Sequence, residues 1–92
     1  MTRYEVKFTK QFKKDLKLLE RKHKDIGLLK QIVNKLANGE KLPYQNKDHE
    51  LTNNWTGHRE CHIQPDWILI YRIELDVLVL TLSRTGTHSD LF

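Results

Sequence analysis

Residues 57–84 read GHRECHIQPDWILIYRIELDVLVLTLSR, three strand-length runs separated by two short polar turns. The spacing predicts strands over Gly57–Ile63, Trp67–Ile73 and Val77–Arg84, joined by turns at Gln64-Pro65-Asp66 and Glu74-Leu75-Asp76. Ile68–Ile73 and Val77–Leu82 are nearly continuous apolar runs, so these two strands are expected to bury both faces at the centre of the sheet. Upstream, Arg3 to Phe8 alternates, with Tyr4, Val6 and Phe8 on one side, which is the period of a half-buried strand. Thr9 can cap a following helix through its hydroxyl. Phe12, Leu16 and Leu19 then form one apolar stripe, while Lys10, Lys13, Lys14 and Lys17 face solvent. A second helix starts at Asp25 and presents Ile26, Leu29, Val33 and Leu36; Gly39 supplies its stop. Arg21 to Lys24 allows only a tight connection, so the helices are expected to pair antiparallel. Glu40 to Thr56 has no period and reads as a long loop, the kind of segment that tends to carry function. Thr85 to Phe92 reads as a polar tail with a hinge at Gly86. The expected fold is α+β in one domain, 1–92: a strand, a helical hairpin, a loop and a three-stranded antiparallel meander, with the helices packed on the sheet.

Composition narrows the function. Hydrophobic residues make up 38% and charged residues 30% of 92 positions, enough for one small core. No apolar run approaches the roughly 20 residues that span a bilayer, so no membrane association is expected. Met-Thr-Arg-Tyr-Glu-Val contains no apolar signal-peptide core, and the single cysteine, Cys61, cannot form an internal disulfide. A cytoplasmic location is expected. Charge is divided unevenly: residues 1–47 hold 13 Lys/Arg against 5 Asp/Glu, and residues 48–92 hold 3 against 7. A basic half of this kind points to a polyanionic partner, nucleic acid above all.

The residues able to do chemistry fall in the second half: His49, His58, Arg59, Glu60, His62, Asp66, Arg84, His88 and Asp90. Two histidines can serve as base and acid in one reaction near neutral pH. RNA cleavage needs no more than that and a fixed cation: a base takes the 2′-hydroxyl proton, an acid protonates the leaving 5′-oxygen, and the cation stabilises the charged phosphorus centre. His62 and Arg84 fall on strands expected to be close neighbours, His88 can fold back from the tail, and His49 comes from the long loop. Zinc is not expected. Cys61 and His62 point to opposite faces of one strand, and His58 lies about 13 Å from His62 at strand rise. Cys61 itself reads as a packing residue. Trp67 is either core or a stacking surface for a base, and Phe92 either packs on the sheet or meets a ligand. His23 and His58 are expected to be inert.

Arg59-Glu60-Cys61-His62-Ile63, Pro65-Asp66-Trp67, Leu69-Ile70-Tyr71-Arg72 and the ending Arg84-Thr85-Gly86-Thr87-His88-Ser89-Asp90-Leu91-Phe92 resemble the YafQ-type toxins of the RelE/ParE toxin–antitoxin superfamily. The resemblance extends over nearly the whole chain. It implies a ribosome-dependent endoribonuclease that cuts mRNA in the ribosomal A site without cofactor or metal. It also implies a cognate antitoxin as partner, with a monomeric free toxin and a larger complex with the antitoxin. Carried onto this sequence, the family's functional positions match His49, His62, Asp66, Trp67, Arg84, His88 and Phe92. His88 is then the general acid, His62 or His49 the base and Arg84 the phosphate clamp. Asp66 orients a histidine or takes a proton, and Trp67 and Phe92 shape the surface for the base. Lys10, Lys13, Lys14 and Lys17 would grip ribosomal RNA. Two other readings are a gyrase-inhibiting toxin of the sister branch, which needs no histidine acid or base, and a non-catalytic nucleic-acid-binding module.

Overall fold

A computed structural model describes residues 2–92. Its elements are β1 (Glu5–Phe8), α1 (Lys10–Arg21), α2 (Ile26–Ala37), β2 (His49–Glu50), β3 (Arg59–Gln64), β4 (Trp67–Glu74), β5 (Val79–Gly86) and α3 (His88–Leu91), with 3₁₀ turns at Tyr44–Asn46 and Asn53–Trp55. Local chemistry sets the helix ends. Thr9 accepts a hydrogen bond from the Phe12 amide, and Asp25 accepts one from Gly27. Gly39, at φ +76°, closes α2: the amides of Gly39 and Glu40 donate to the carbonyls of Leu36 and Lys35. No helix is long and apolar enough to cross a membrane among the described residues.

The five strands form one mixed sheet in the order β1-β5-β4-β3-β2. The expected meander is β3-β4-β5. β1, which leads into the helical hairpin, pairs parallel with β5 at the edge of the sheet, Phe8 opposite Leu82. β4 lies at the centre. Trp67, Leu69 and Tyr71 pack under the helices with Phe12, Leu19, Leu29, Leu36, Leu80 and Leu82, while Ile68 and Ile70 on the opposite face are fully buried as well. Both faces of this strand are therefore dry, which its unbroken apolar run requires.

Three boundaries depart from the sequence reading. The last strand starts at Val79, because Leu75–Leu78 form the turn, with Leu78 at φ +53° and Leu75, Val77 and Leu78 all exposed. The loop after α2 contains a two-residue strand, β2, antiparallel to β3. The polar tail contains a short helix that the sequence reading did not assign: the Thr87 hydroxyl accepts from the Asp90 amide and starts α3 directly after the strand.

α1 also finishes the edge of β5. β1 reaches only to Leu82, so the next polar groups of β5 need other partners. The Thr9 hydroxyl donates to the Ser83 carbonyl (2.8 Å), and the Thr85 amide donates to the Asp15 carboxylate (3.1 Å). Asp15 is consequently a buried acid in the middle of an apolar helix face.

Candidate active site

Register brings His49, His62 and Arg84 into two rows of the sheet, with the Thr85–Leu69–Cys61 row between them. Arg84 pairs with Ile70, Ile70 with Glu60 and Glu60 with His49, and the other row runs from Gly86 through Ile68 to His62. Paired residues share a face, so His49, Glu60 and His62 rise from one side. α3 then turns back over this side after Gly86 and brings His88 against β3.

Glu60 is the centre of the cluster. Its buried carboxylate accepts a hydrogen bond from His88 Nε2 (2.9 Å) and lies 3.5 Å from His62 Nε2, and the two imidazoles sit 5.5 Å apart between centroids. When protonated, either ring forms an ion pair with Glu60. His62 Nδ1–H donates to the Pro65 carbonyl (3.2 Å), so the neutral ring keeps its lone pair on Nε2. His49 follows the same logic. Its Nδ1–H donates to the Lys47 carbonyl (2.6 Å), leaving Nε2 free to accept a proton. The strand holding His49 is anchored by Asp48, which accepts from Arg59 Nε (3.2 Å) and from the Tyr71 hydroxyl. Burial, then the Asp48 hydrogen bond, push the Tyr71 phenol far above its ordinary value.

Arg84 does not hang free. Asp15 accepts from its Nε (2.8 Å) and Nη2 (3.1 Å), and these bonds raise the guanidinium further above its ordinary value. The pairing occupies one edge of the fork and leaves the Nη1 edge for an oxyanion. Phe92 stacks on His88 at 5.8 Å, 27° between planes, and remains largely exposed. Lys10, Lys13, Lys14 and Lys17 are all exposed along α1.

Two assignments change. Trp67 is 1% exposed and donates its indole N–H to the Thr85 hydroxyl (2.9 Å), so it is a core residue and offers no face to a base. Its alternation with Leu69 and Tyr71 directs it inward. Asp66 is exposed in the β3–β4 turn, and the carboxylate that faces the histidines is Glu60. Asp15 was missing from the sequence reading, and Glu60 was named there without a role. Asp15 carried a sequence signal, an acid set within the Phe12–Leu19 stripe.

Glu60, His62 and His88 also offer three metal-ligand atoms within 4.8 Å of one another. The argument against zinc rested on strand spacing between Cys61, His58 and His62, whereas here His88 of α3 joins Glu60 and His62 of β3. Cys61 is fully buried, and burial pushes its thiol well above its ordinary value, so it serves as packing.

Comparison with known proteins agrees with the whole of this architecture. A family model described as "Bacterial toxin of type II toxin-antitoxin system, YafQ" matches residues 4–92. The chain is 43% identical over 93 residues to the mRNA interferase toxin YafQ of Escherichia coli strain B/BL21-DE3, covering 100% of this chain and 99% of the relative. Its structure matches the E. coli DinJ–YafQ toxin–antitoxin complex with a TM-score of 0.89 at 41% identity, over 98% of each chain. It also matches a metal-bound toxin from Helicobacter pylori with a TM-score of 0.91 at 39% identity, over 100% of each chain. These matches identify a bacterial toxin of the type II toxin–antitoxin class. Within that class the chain belongs to the YafQ family.

Proposed function

We propose that this chain is the toxin of a type II toxin–antitoxin system and cleaves mRNA in the ribosomal A site by acid–base catalysis. The observation that carries the reading is the Glu60 carboxylate flanked by His62 and His88, in the same sheet rows as His49 and Arg84. His49, with Nε2 unoccupied, or His62 takes the 2′-hydroxyl proton. The 2′-oxygen bonds to the adjacent phosphorus as the bond to the 5′-oxygen breaks, and His88 supplies the proton that leaves on the 5′-oxygen. The products are a 2′,3′-cyclic phosphate and a 5′-hydroxyl. Arg84, oriented by Asp15, meets the charge that develops on the phosphoryl oxygens. Glu60 holds the two rings at fixed spacing and balances their charge. A divalent cation on Glu60, His62 and His88 would occupy the nitrogens that must exchange protons, so the reaction is expected to proceed in chelator.

The relative crystallised with DinJ supports a cognate antitoxin as partner, and the exposed lysines of α1 support a grip on ribosomal RNA. The test maps 5′ ends on a reporter mRNA in a translating extract, with and without chelator. His88→Ala should lower cleavage by about 10²–10⁴-fold while antitoxin binding is retained. Cleavage at an unchanged rate, or only with added metal, would overturn this mechanism.

A further inference from the structure

The segment between β2 and β3 builds a rigid turn that the catalytic proposal leaves unused. Leu51 N–H donates to the His58 carbonyl, His58 N–H to Trp55 and Trp55 N–H to Thr52, while the Thr56 hydroxyl closes on Asn53. Asn53 sits at φ +57° and Gly57 at φ +90°, so the chain reverses twice within five residues. The turn presents Trp55 edge-on to Phe92 (6.3 Å, 74°), and Phe92 in turn stacks on His88. A cleft of about 520 Å³ opens between this turn and the Leu91–Phe92 end of the chain. The side-chain amides of Asn53 and Asn54 border it and are exposed.

We propose that this cleft is a nucleobase site, in which a base next to the scissile phosphate stacks on Trp55 and Phe92 and is read by the amides of Asn53 and Asn54. The chemistry fits that occupant. Single-stranded RNA offers unstacked bases that aromatic rings hold, and carboxamides supply both donors and acceptors for base edges. Position fits too, because the His88–Phe92–Trp55 series of rings leads from the proton donor directly to the cleft. The proposal rests on the RNA-cleaving reading above and adds to it the residues that select the sequence cut. Trp55, rather than the buried Trp67, is the exposed-side indole of the site.

Cut sites mapped across a mixed mRNA population in a translating extract test this. Trp55→Ala should reduce cleavage by about 5- to 150-fold, the usual effect of removing one aromatic stacking platform. Trp55→Phe should restore most of the rate. Asn54→Asp, at an exposed position that leaves packing untouched, should change which base is tolerated beside the cut. Binding is read apart from cleavage by tryptophan fluorescence, using a short oligoribonucleotide made uncleavable by 2′-deoxy substitution. The oligonucleotide should quench wild type but not Trp55→Phe, in which Trp67 alone emits. A wild type that quenches in a base-dependent manner but cuts nothing would uphold the nucleobase site and refute the catalytic reading. Two results would overturn the proposal: cut sites and rates unchanged in Trp55→Ala and Asn54→Asp, or Trp55→Ala weakening the antitoxin complex alone, which would make the cleft an antitoxin contact.

Discussion

Asp15 is the side chain whose removal should be felt most widely. It is 8% exposed and accepts hydrogen bonds from Arg84 Nε and Nη2, from the Thr85 amide and from Gln11 (3.3 Å). Asp15→Ala leaves the buried Thr85 N–H unpaired, at a cost of about 1–3 kcal/mol. It also deprives Arg84 of a charged partner, worth about 1.5–3 kcal/mol in such bonds. The Arg84 side chain is 24% exposed, so water recovers part of the second loss. A net loss near 3 kcal/mol follows, which for a domain of this size lowers Tm by about 12–24 °C. Asp15→Asn is only a partial rescue: its oxygen can still accept from the Thr85 amide, but its amide hydrogens meet Arg84 Nη2 and the negative charge is gone. Thermal unfolding of Asp15→Ala, Arg84→Ala and the double variant separates the two contributions. The double variant should be more stable than the summed losses imply by at least about 1 kcal/mol, because the ion pair is counted in both single variants. In the cleavage assay Asp15→Asn should behave as Arg84→Ala does, with the guanidinium no longer aimed. A Tm within 2 °C or so of wild type, or strictly additive losses, would refute the reasoning.

Alkaline pH should destabilise the fold through Cys61 and Tyr71. Burial raises both groups in the native state, so both stay protonated there while the unfolded chain releases their protons near pH 8.5 and about 10. Their contribution is complete below about pH 8.5 and is lost as pH rises, at up to about 1.4 kcal/mol per unit for each group. The urea midpoint should therefore fall between pH 8.5 and 11, and Cys61→Ser should shift the onset upward; a flat midpoint would exclude these groups. Replacing Lys10, Lys13, Lys14 and Lys17 with Gln should weaken ribosome binding and reduce its log–log salt slope by about 3. An unchanged slope would move the RNA contact off α1.

The contrast between what local pattern conveys and what it hides follows from how far apart the interacting residues lie. Thr9, Asp25 and Gly39 act on amides within five positions, so caps and helix ends can be read directly from the chain. β4 likewise reports its central place through Trp67–Tyr71, since only a strand covered on both sides can be apolar throughout. β2 has no such signature: two residues gain their structure solely by pairing with Arg59 and Glu60. The tail was read as a polar segment with no secondary structure assigned, because four residues carry no helical period, whereas the Thr87 cap decides its form.

The histidines stood out in the sequence because few other side chains move protons near neutrality. Glu60 was harder to interpret, since in the alternation of β3 it looks like any solvent-facing acid. Its burial depends on α3 returning over the sheet and on His62 lying two residues along the same strand, contacts that join positions 60 and 88. The same distance explains Trp67 and Asp66. The resemblance gave both a place in the site, yet the first pleat of β4 turns Trp67 to the helices, and the turn leaves Asp66 exposed. The aromatic ring and the carboxylate that do touch the histidines come from elsewhere in the chain: Phe92 stacks on His88, and Glu60 accepts its hydrogen bond.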